Sequence, residues 1–257
     1  MLAWIQGCSL SRGVFCCLGA CVGLWLTSSA LPHEEIDRQV AALTERIARE
    51  AGNPTLFLRR GELHRVHREW VRAISDYSRA IELDPELHTV HFCLAQLFLE
   101  VEQPALALAA IDRHLASRPD NAAAVLLRGR ALLRVGFRLA GAREIARGIE
   151  LHRGSRPPRP DDYLDRARAL AAEGGEHLDE AIQGLDEGMK RLGGAVTLQL
   201  LAIDLEVERR RWDSALSRLF ALQAMSPRKE RWLVRRGEIL IEAGRPLEAR
   251  QAFLEAQ

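Results

Sequence analysis

One spacing of 34 residues recurs along this chain and constrains its fold more than any other feature of the sequence. Small residues recur at Gly61, Ala95 and Gly129, and prolines recur at Pro85 and Pro119. A repeat of this length is typical of helix–turn–helix units that stack on one another, because one unit alone cannot bury its apolar face. The spacing therefore predicts an all-α fold in which similar helix pairs follow one another.

The residues inside one repeat indicate how its two helices meet. The first helix carries Gly61 where a side chain would otherwise project inward, so the helix backbones can approach closely. Asn53-Pro54 is a typical start for this helix, and Pro85 ends the second helix because proline cannot continue it. The second helix has apolar and small residues at intervals of three and four, which are Trp70, Ala73, Ile74, Tyr77, Ala80 and Ile81.

These residues resemble the tetratricopeptide repeat family. The family's pattern of a bulky residue, a small residue, an aromatic, an alanine, an aromatic, an alanine and a proline is matched by Phe57, Gly61, Trp70, Ala73, Tyr77, Ala80 and Pro85. The resemblance covers 54–257 and implies a right-handed α-solenoid of helix–turn–helix repeats of 34 residues. The expected units are 54–87, 88–121, 122–155, a degenerate 160–195, 196–229 and an incomplete 230–257.

Several segments depart from a regular array. Residues 34–53 predict an amphipathic capping helix, and the fourth unit fits only if two residues are inserted near Gly174-Gly175. The segment 152–160 contains three prolines, so we expect a surface loop, with a hinge or a docking strip as alternatives. The last unit stops at Gln257 without a polar capping helix. A frayed last helix, a C-terminus that engages a partner, and a truncated sequence all remain open.

Residues 1–30 differ in composition from the rest of the chain. No residue from Gly13 to Pro32 is charged, and small residues precede Ala30, so we expect a signal peptide cleaved after Ala30. The alternatives are an uncleaved membrane anchor and a bacterial lipoprotein that is lipidated at Cys21. We therefore expect a bacterial protein that is exported, periplasmic or extracellular, or else membrane-anchored. Membrane contact is expected only through this segment if it is retained or lipidated.

Composition and motifs argue against several function classes. The 36 basic and 35 acidic residues nearly cancel, so no charge excess favours a nucleic-acid partner. No phosphate-binding glycine loop, serine elbow or zinc-protease motif is present, and we predict no enzyme and no cofactor. His64 with His67 and His88 with His91 have a spacing that can hold a metal, but no acidic residue or cysteine completes either set. We predict hydrogen-bonded histidines, no metal site and a buried Cys93.

Function is then expected from the surface. In the family that this chain resembles, the first helix of each unit lines a concave groove along which partners lie. The resemblance places three rows of residues there, which are Leu58, Phe92 and Leu126, then Glu62, Gln96 and Arg130, then Arg65, Leu99 and Leu133. Leu164, Leu200 and Val234 continue the first row. An apolar stripe edged by mixed charge favours an amphipathic helix or an apolar peptide segment. The alternative is that these residues pack between repeats.

Two functions remain open from the sequence. The first is a non-catalytic scaffold or adaptor that binds a protein or peptide in this groove outside the cytoplasmic membrane. The alternative is a ligand-binding or metal-binding accessory module of an exported enzyme, with histidines of the second unit as ligands. Family members that clamp a carboxylate have lysine and asparagine in the first two rows, and this chain has neither there.

Overall fold

The computed structural model describes residues 32–152, 158–226 and 228–257. The expected signal peptide at 1–30, with its alternatives at Cys21 and Ala30, lies outside the described residues, and so does 153–157 within the proline-rich segment. The described residues form thirteen α-helices and contain no strand. The predicted all-α fold is confirmed.

The helices follow one another as a single N-terminal helix and six pairs. The single helix is α1 (Pro32–Arg49). The pairs are α2 (Pro54–Val66) with α3 (Trp70–Leu83), α4 (Thr89–Glu100) with α5 (Pro104–Ser117), α6 (Ala122–Val135) with α7 (Arg138–Leu151), α8 (Pro160–Ala171) with α9 (His177–Leu192), α10 (Val196–Glu208) with α11 (Trp212–Met225), and α12 (Glu230–Glu242) with α13 (Pro246–Glu255).

Helix starts use the residue types that the sequence offers there. The side-chain oxygen of Asn53 accepts a hydrogen bond from the Thr55 N–H at 3.1 Å, and that of Asn121 accepts one from the Ala124 N–H at 3.2 Å. Both bonds satisfy amide groups that have no partner inside their helix. Proline occupies the first turn of α2, α5, α8 and α13, where no amide hydrogen is needed.

A glycine on the first helix meets a large residue on the second in three of the six pairs. A Cβ atom added to Gly61 would lie 2.7 Å from the Tyr77 ring, and one added to Gly129 would lie 2.7 Å from the Ile145 side chain. Tyr77 and Ile145 are both fully buried. These contacts leave no space for a larger residue on the first helix, so the glycines set how closely the two helices approach.

The turn between paired helices also recurs at fixed positions. One residue in each of five turns has a left-handed backbone, with φ of 60° at Arg68, 57° at Glu102, 100° at Gly136, 55° at Arg210 and 73° at Gly244. The next residue donates its N–H to a carbonyl five positions earlier, which closes the end of the first helix. Three of these residues carry a side chain in a conformation that glycine adopts most easily. The α8–α9 turn differs, since it spans 172–176 and contains two left-handed glycines, Gly174 and Gly175.

The first helices form the inner layer of the stack. Helix α2 contacts α4, α4 contacts α6, α6 contacts α8, and α8 contacts α10. The second helices pack against first helices, and within the described ranges no equally close contact joins two second helices. Because the first helices lie closer to one another, the stack bends toward them and they form its concave face.

The apolar core continues across the proline-rich segment. Ile145 and Ile149 of α7 belong to the same buried cluster as Tyr163 of α8, Leu185 of α9 and Leu198 of α10. At the N-terminal end, Ile47 of α1 packs against a separate cluster. Across the described ranges, every helix falls short of the length and apolarity that a membrane span requires.

We predict that Gly61→Ala destabilises the fold. Overlap of the new methyl group with the buried Tyr77 ring costs about 1–3 kcal/mol, which exceeds the helix-propensity gain of about 1 kcal/mol. The matched control is Gly52→Ala, because no atom lies within 4 Å of a Cβ at that position. Urea unfolding followed by circular dichroism measures both variants. Equal midpoints for the two variants would contradict the close approach at Gly61.

Candidate partner-binding groove

A cavity of about 470 Å³ lies in the middle of the concave face, across α4, α6 and α8. Four of the nine groove residues predicted from the sequence line it, which are Gln96, Leu99, Arg130 and Leu133. Glu100, Glu102, Leu127, Arg134 and Asp165 complete the lining. The cavity therefore joins the first helices of three consecutive pairs, and we refer to it as the central cavity.

Most charge in the central cavity is neutralised inside the protein. Arg130 forms an ion pair with Asp162 and lies 3.4 Å from a carboxylate oxygen of Asp165. Asp162 is only 2% exposed and also accepts a hydrogen bond from the Arg159 N–H at 2.9 Å. Burial raises the pKa of Asp165, although Arg130 opposes that shift. These contacts fix the Arg130 side chain in place.

Two charges of the central cavity remain available. In the part of the chain that the structure describes, neither Arg134 nor Glu102 forms an ion pair or a side-chain hydrogen bond. Leu99 and Leu133 are half-buried, so each keeps part of its apolar surface open to the cavity. A bound segment would thus meet an apolar floor with one free cation and one free anion.

A hydrogen-bond network connects the N-terminal groove residues with the core. The Tyr77 hydroxyl donates to Glu62, and Arg65 donates to Glu62 at 3.1 Å and also to Glu100 of the next pair. Burial acts to raise the pKa of Glu62, but hydrogen bonds from Arg65 and Tyr77 outweigh it and lower the pKa. Glu62 is therefore ionised at neutral pH. Burial also raises the pKa of the neighbouring Cys93 to about 12, so its thiol stays protonated.

A second cavity of about 590 Å³ lies between α1, α2 and α4. Its lining includes the predicted groove residues Leu58 and Glu62, and it also includes Leu43 of α1 and Cys93 of α4. The remaining lining residues are Gln39, Ala42, Arg46, Arg59, Leu63 and Thr89. We call it the N-terminal pocket.

Two residues of the first predicted row, Phe92 and Leu126, line neither of the two cavities. Leu126 is 6% exposed and packs against Gly148, whose missing side chain leaves room for it. Phe92 is half-buried, and its ring centroid lies 5.5 Å from that of His114. Leu126 is therefore corrected from a groove residue to a packing residue. Of the positions that continue this row, Leu164 is buried, Leu200 is half-buried and Val234 is 41% exposed.

Two lining residues of the central cavity, Glu100 and Arg134, lie at a recurring position that the predicted rows did not include. Val66, Glu100 and Arg134 follow one another at 34 residues, immediately after the third predicted row. That row would have placed Glu100 and Arg134 in the central cavity. No repeat position predicted Leu43 as a lining residue of the N-terminal pocket, because α1 does not belong to the 34-residue repeats.

His64 and His114 are held by contacts within the protein. His64 is buried, and its Nδ1 atom lies 2.5 Å from Glu69. His114 is buried, with Nδ1 at 2.9 Å from the His88 carbonyl and Nε2 at 3.0 Å from the Asn121 amide nitrogen. Residues 32–152, 158–226 and 228–257 contain no group of three or more histidine, cysteine or acidic side chains placed to hold a metal ion.

Arg209 and Arg211 both pair with Asp179, at 2.9 and 2.8 Å.

Comparisons with known proteins agree with this architecture. A tetratricopeptide repeat protein from Parabacteroides merdae is 17% identical, with a TM-score of 0.59 over 87% of this chain and 86% of the other. YrrB, described as a tetratricopeptide repeat protein with an unusual peptide-binding site, is 18% identical, with a TM-score of 0.59 over 82% of this chain and 99% of YrrB. PilW, a type IV pilus biogenesis factor, is 17% identical, with a TM-score of 0.61 over 75% of this chain and 86% of PilW.

At these identities the solved structures support the fold alone. None of the curated proteins matches this sequence. Residues 94–160 and 200–257 match the model of the Tetratricopeptide repeat family, which agrees with the helix pairs and the recurring small residues described above. Residues 94–160 and 200–257 therefore belong to the tetratricopeptide repeat family, and the chain shares the fold of solved tetratricopeptide repeat proteins.

Proposed function

We propose that this chain is a non-catalytic adaptor that binds a peptide or helical segment of another protein along its concave face. The observation that carries the proposal is the central cavity, where half-buried Leu99 and Leu133 are flanked by the unpaired charges of Arg134 and Glu102. A tetratricopeptide repeat scaffold suits this role because stacked first helices present one extended surface.

The chemistry of the groove favours a segment with an apolar face. Burial of the leucine surfaces contributes about 25 cal/mol per Å² of apolar area removed from water. Arg130 and Arg65 are each held by carboxylates from a neighbouring unit, so the groove walls are ordered before a partner arrives. Such preorganisation lowers the entropy cost of binding.

The proposal places this groove outside the cytoplasmic membrane. Its support is the uncharged sequence from Gly13 to Pro32, with small residues before Ala30. Mass spectrometry of the mature N-terminus tests the location, and we expect a chain that begins at Leu31. A lipidated Cys21 would keep the protein outside the cytoplasm by another route. An unmodified full-length chain that fractionates with the cytoplasm would contradict the proposed location.

We predict that Leu99→Glu combined with Leu133→Glu weakens partner binding. Two charges placed on the apolar floor should weaken binding at least about tenfold, since a hot-spot substitution costs about 2 kcal/mol or more. Co-purification of partners with the full chain, quantified by mass spectrometry, measures the loss. Circular dichroism verifies that the variant keeps its helices, and Leu99→Ala with Leu133→Ala serves if it does not.

The matched control is Val71→Glu combined with Leu247→Glu. Both residues lie on second helices and are 82% exposed, so the same chemical change is made away from the groove. Partner binding should be unchanged in this control. Retained binding in the Leu99 and Leu133 variant, or an equal loss in the control, would overturn the groove as the binding surface.

A further inference from the structure

The N-terminal pocket depends on a helix that is not part of the repeat array. Helix α1 packs on α2 and contributes Ala42, Leu43 and Arg46 to the pocket lining, opposite Leu58 of α2 and Cys93 of α4. Leu43 is only half-buried, so the apolar surface on the α1 side of the pocket is partly exposed. The pocket thus has an apolar floor and is complete only when α1 is in place.

Two unpaired arginines stand at the rim of this pocket. Arg46 and Arg59 are exposed, and neither has an ion pair or a side-chain hydrogen bond with any residue in the described ranges. The other arginines of α1 differ, since Arg38 pairs with Glu35 at 2.7 Å and Arg49 lies 3.7 Å from Glu45. Unpaired cations beside an apolar floor favour a ligand that carries negative charge next to apolar groups.

The acidic residue in the lining does not cancel this positive charge. Glu62 accepts hydrogen bonds from Arg65 and from the Tyr77 hydroxyl. Arg65 offsets this charge only in part, because it also pairs with Glu100, but the lining still holds two arginines against one carboxylate. Gln39 and Thr89, the other polar lining residues, are neutral. The rim of the N-terminal pocket is thus net positive.

We propose that the N-terminal pocket receives a peptide segment whose apolar side chains are flanked by aspartate or glutamate. The apolar side chains would pack against Leu43, Leu58 and Cys93, and the carboxylates would face Arg46 and Arg59. This inference rests on the proposed function, because it takes the partner to be a peptide that lies along the first helices. It adds a second contact region with its own charge preference.

A peptide fits the pocket better than a small molecule does, because two lining residues of the pocket also belong to the predicted groove rows. Leu58 and Glu62 line the pocket and also begin two of the rows that run along the first helices. Arg65 and Glu100 pair across the step between α2 and α4, and Glu100 also lines the central cavity. A segment leaving the pocket along these rows therefore meets the central cavity.

Selection from a random 12-residue phage-displayed peptide library on the full 257-residue chain tests this proposal. We expect enriched peptides to combine apolar residues with aspartate or glutamate. Synthetic copies should bind Arg46→Glu with Arg59→Glu about tenfold more weakly, because attraction becomes repulsion at two positions. Their affinity for the unaltered chain should also fall as salt is raised, since exposed charges are screened.

The control variant is Arg143→Glu with Arg250→Glu. These arginines are exposed on second helices and form no ion pair within the part of the protein that the structure describes. Peptide affinity should be unchanged in this variant, although its net charge changes by the same amount. Circular dichroism confirms folding of both variants, and Leu43→Ser provides an independent test of the apolar floor, with an expected loss of binding.

The outcomes separate this proposal from the proposed function. Peptides without acidic residues, or peptides that bind the Arg46 and Arg59 variant normally, would overturn the pocket assignment. If those peptides still fail to bind the Leu99 and Leu133 variant, the groove itself stands. Failure to enrich any peptide would overturn the pocket assignment, while co-purification of a partner through Leu99 and Leu133 would still support the adaptor.

Discussion

The close contact between a small residue on the first helix and a large residue on the second is the constraint on which the rest of this structure depends. At Gly61 the contact seats the Tyr77 ring against the first helix. The Tyr77 hydroxyl then reaches Glu62, which holds Arg65, which in turn pairs with Glu100 of the next unit. One packing contact therefore also places charged groups on the concave face.

Ion pairs between neighbouring units extend this order along the groove. Arg130 of α6 holds Asp162 and Asp165 of α8, on the other side of the proline-rich segment. These ion pairs neutralise the paired charges and hold their side chains in fixed positions along the groove. Among the residues that line the two cavities, the charges without an ion pair in the described ranges are Arg134 and Glu102 at the central cavity and Arg46 and Arg59 at the N-terminal pocket. Their separation gives each region its own electrostatic preference.

The period predicted the fold because it reports contacts that every unit must make. It identified Gly61 and Gly129 as helix contacts, and the structure places Tyr77 and Ile145 against them. The exposure of a groove position depends instead on the residue opposite it in the next helix. Leu126 is buried because α7 has Gly148 there, whereas Leu58 at the equivalent position lines a pocket.

Other features escaped prediction for different physical reasons. The left-handed turn positions 68 and 102 are occupied by Arg68 and Glu102, so no glycine predicts their backbone conformation. Gly136, 34 residues after Glu102, is the residue type expected at this turn position. The N-terminal pocket requires three helices, and one of them, α1, lies outside the repeat. The 34-residue period does not predict which way the side chains of α1 point, because α1 is not one of the repeats.

Site-specific photocrosslinking in the cells that make this protein tests the central claim most directly. A photoreactive amino acid is placed at Leu99 or Leu133 on the first helices, and at Val71 or Leu247 on the second helices. The account predicts adducts with a common partner from the two concave positions and none from the two positions on second helices. Adducts that form from Val71 or Leu247, and not from Leu99 or Leu133, would contradict binding along the concave face.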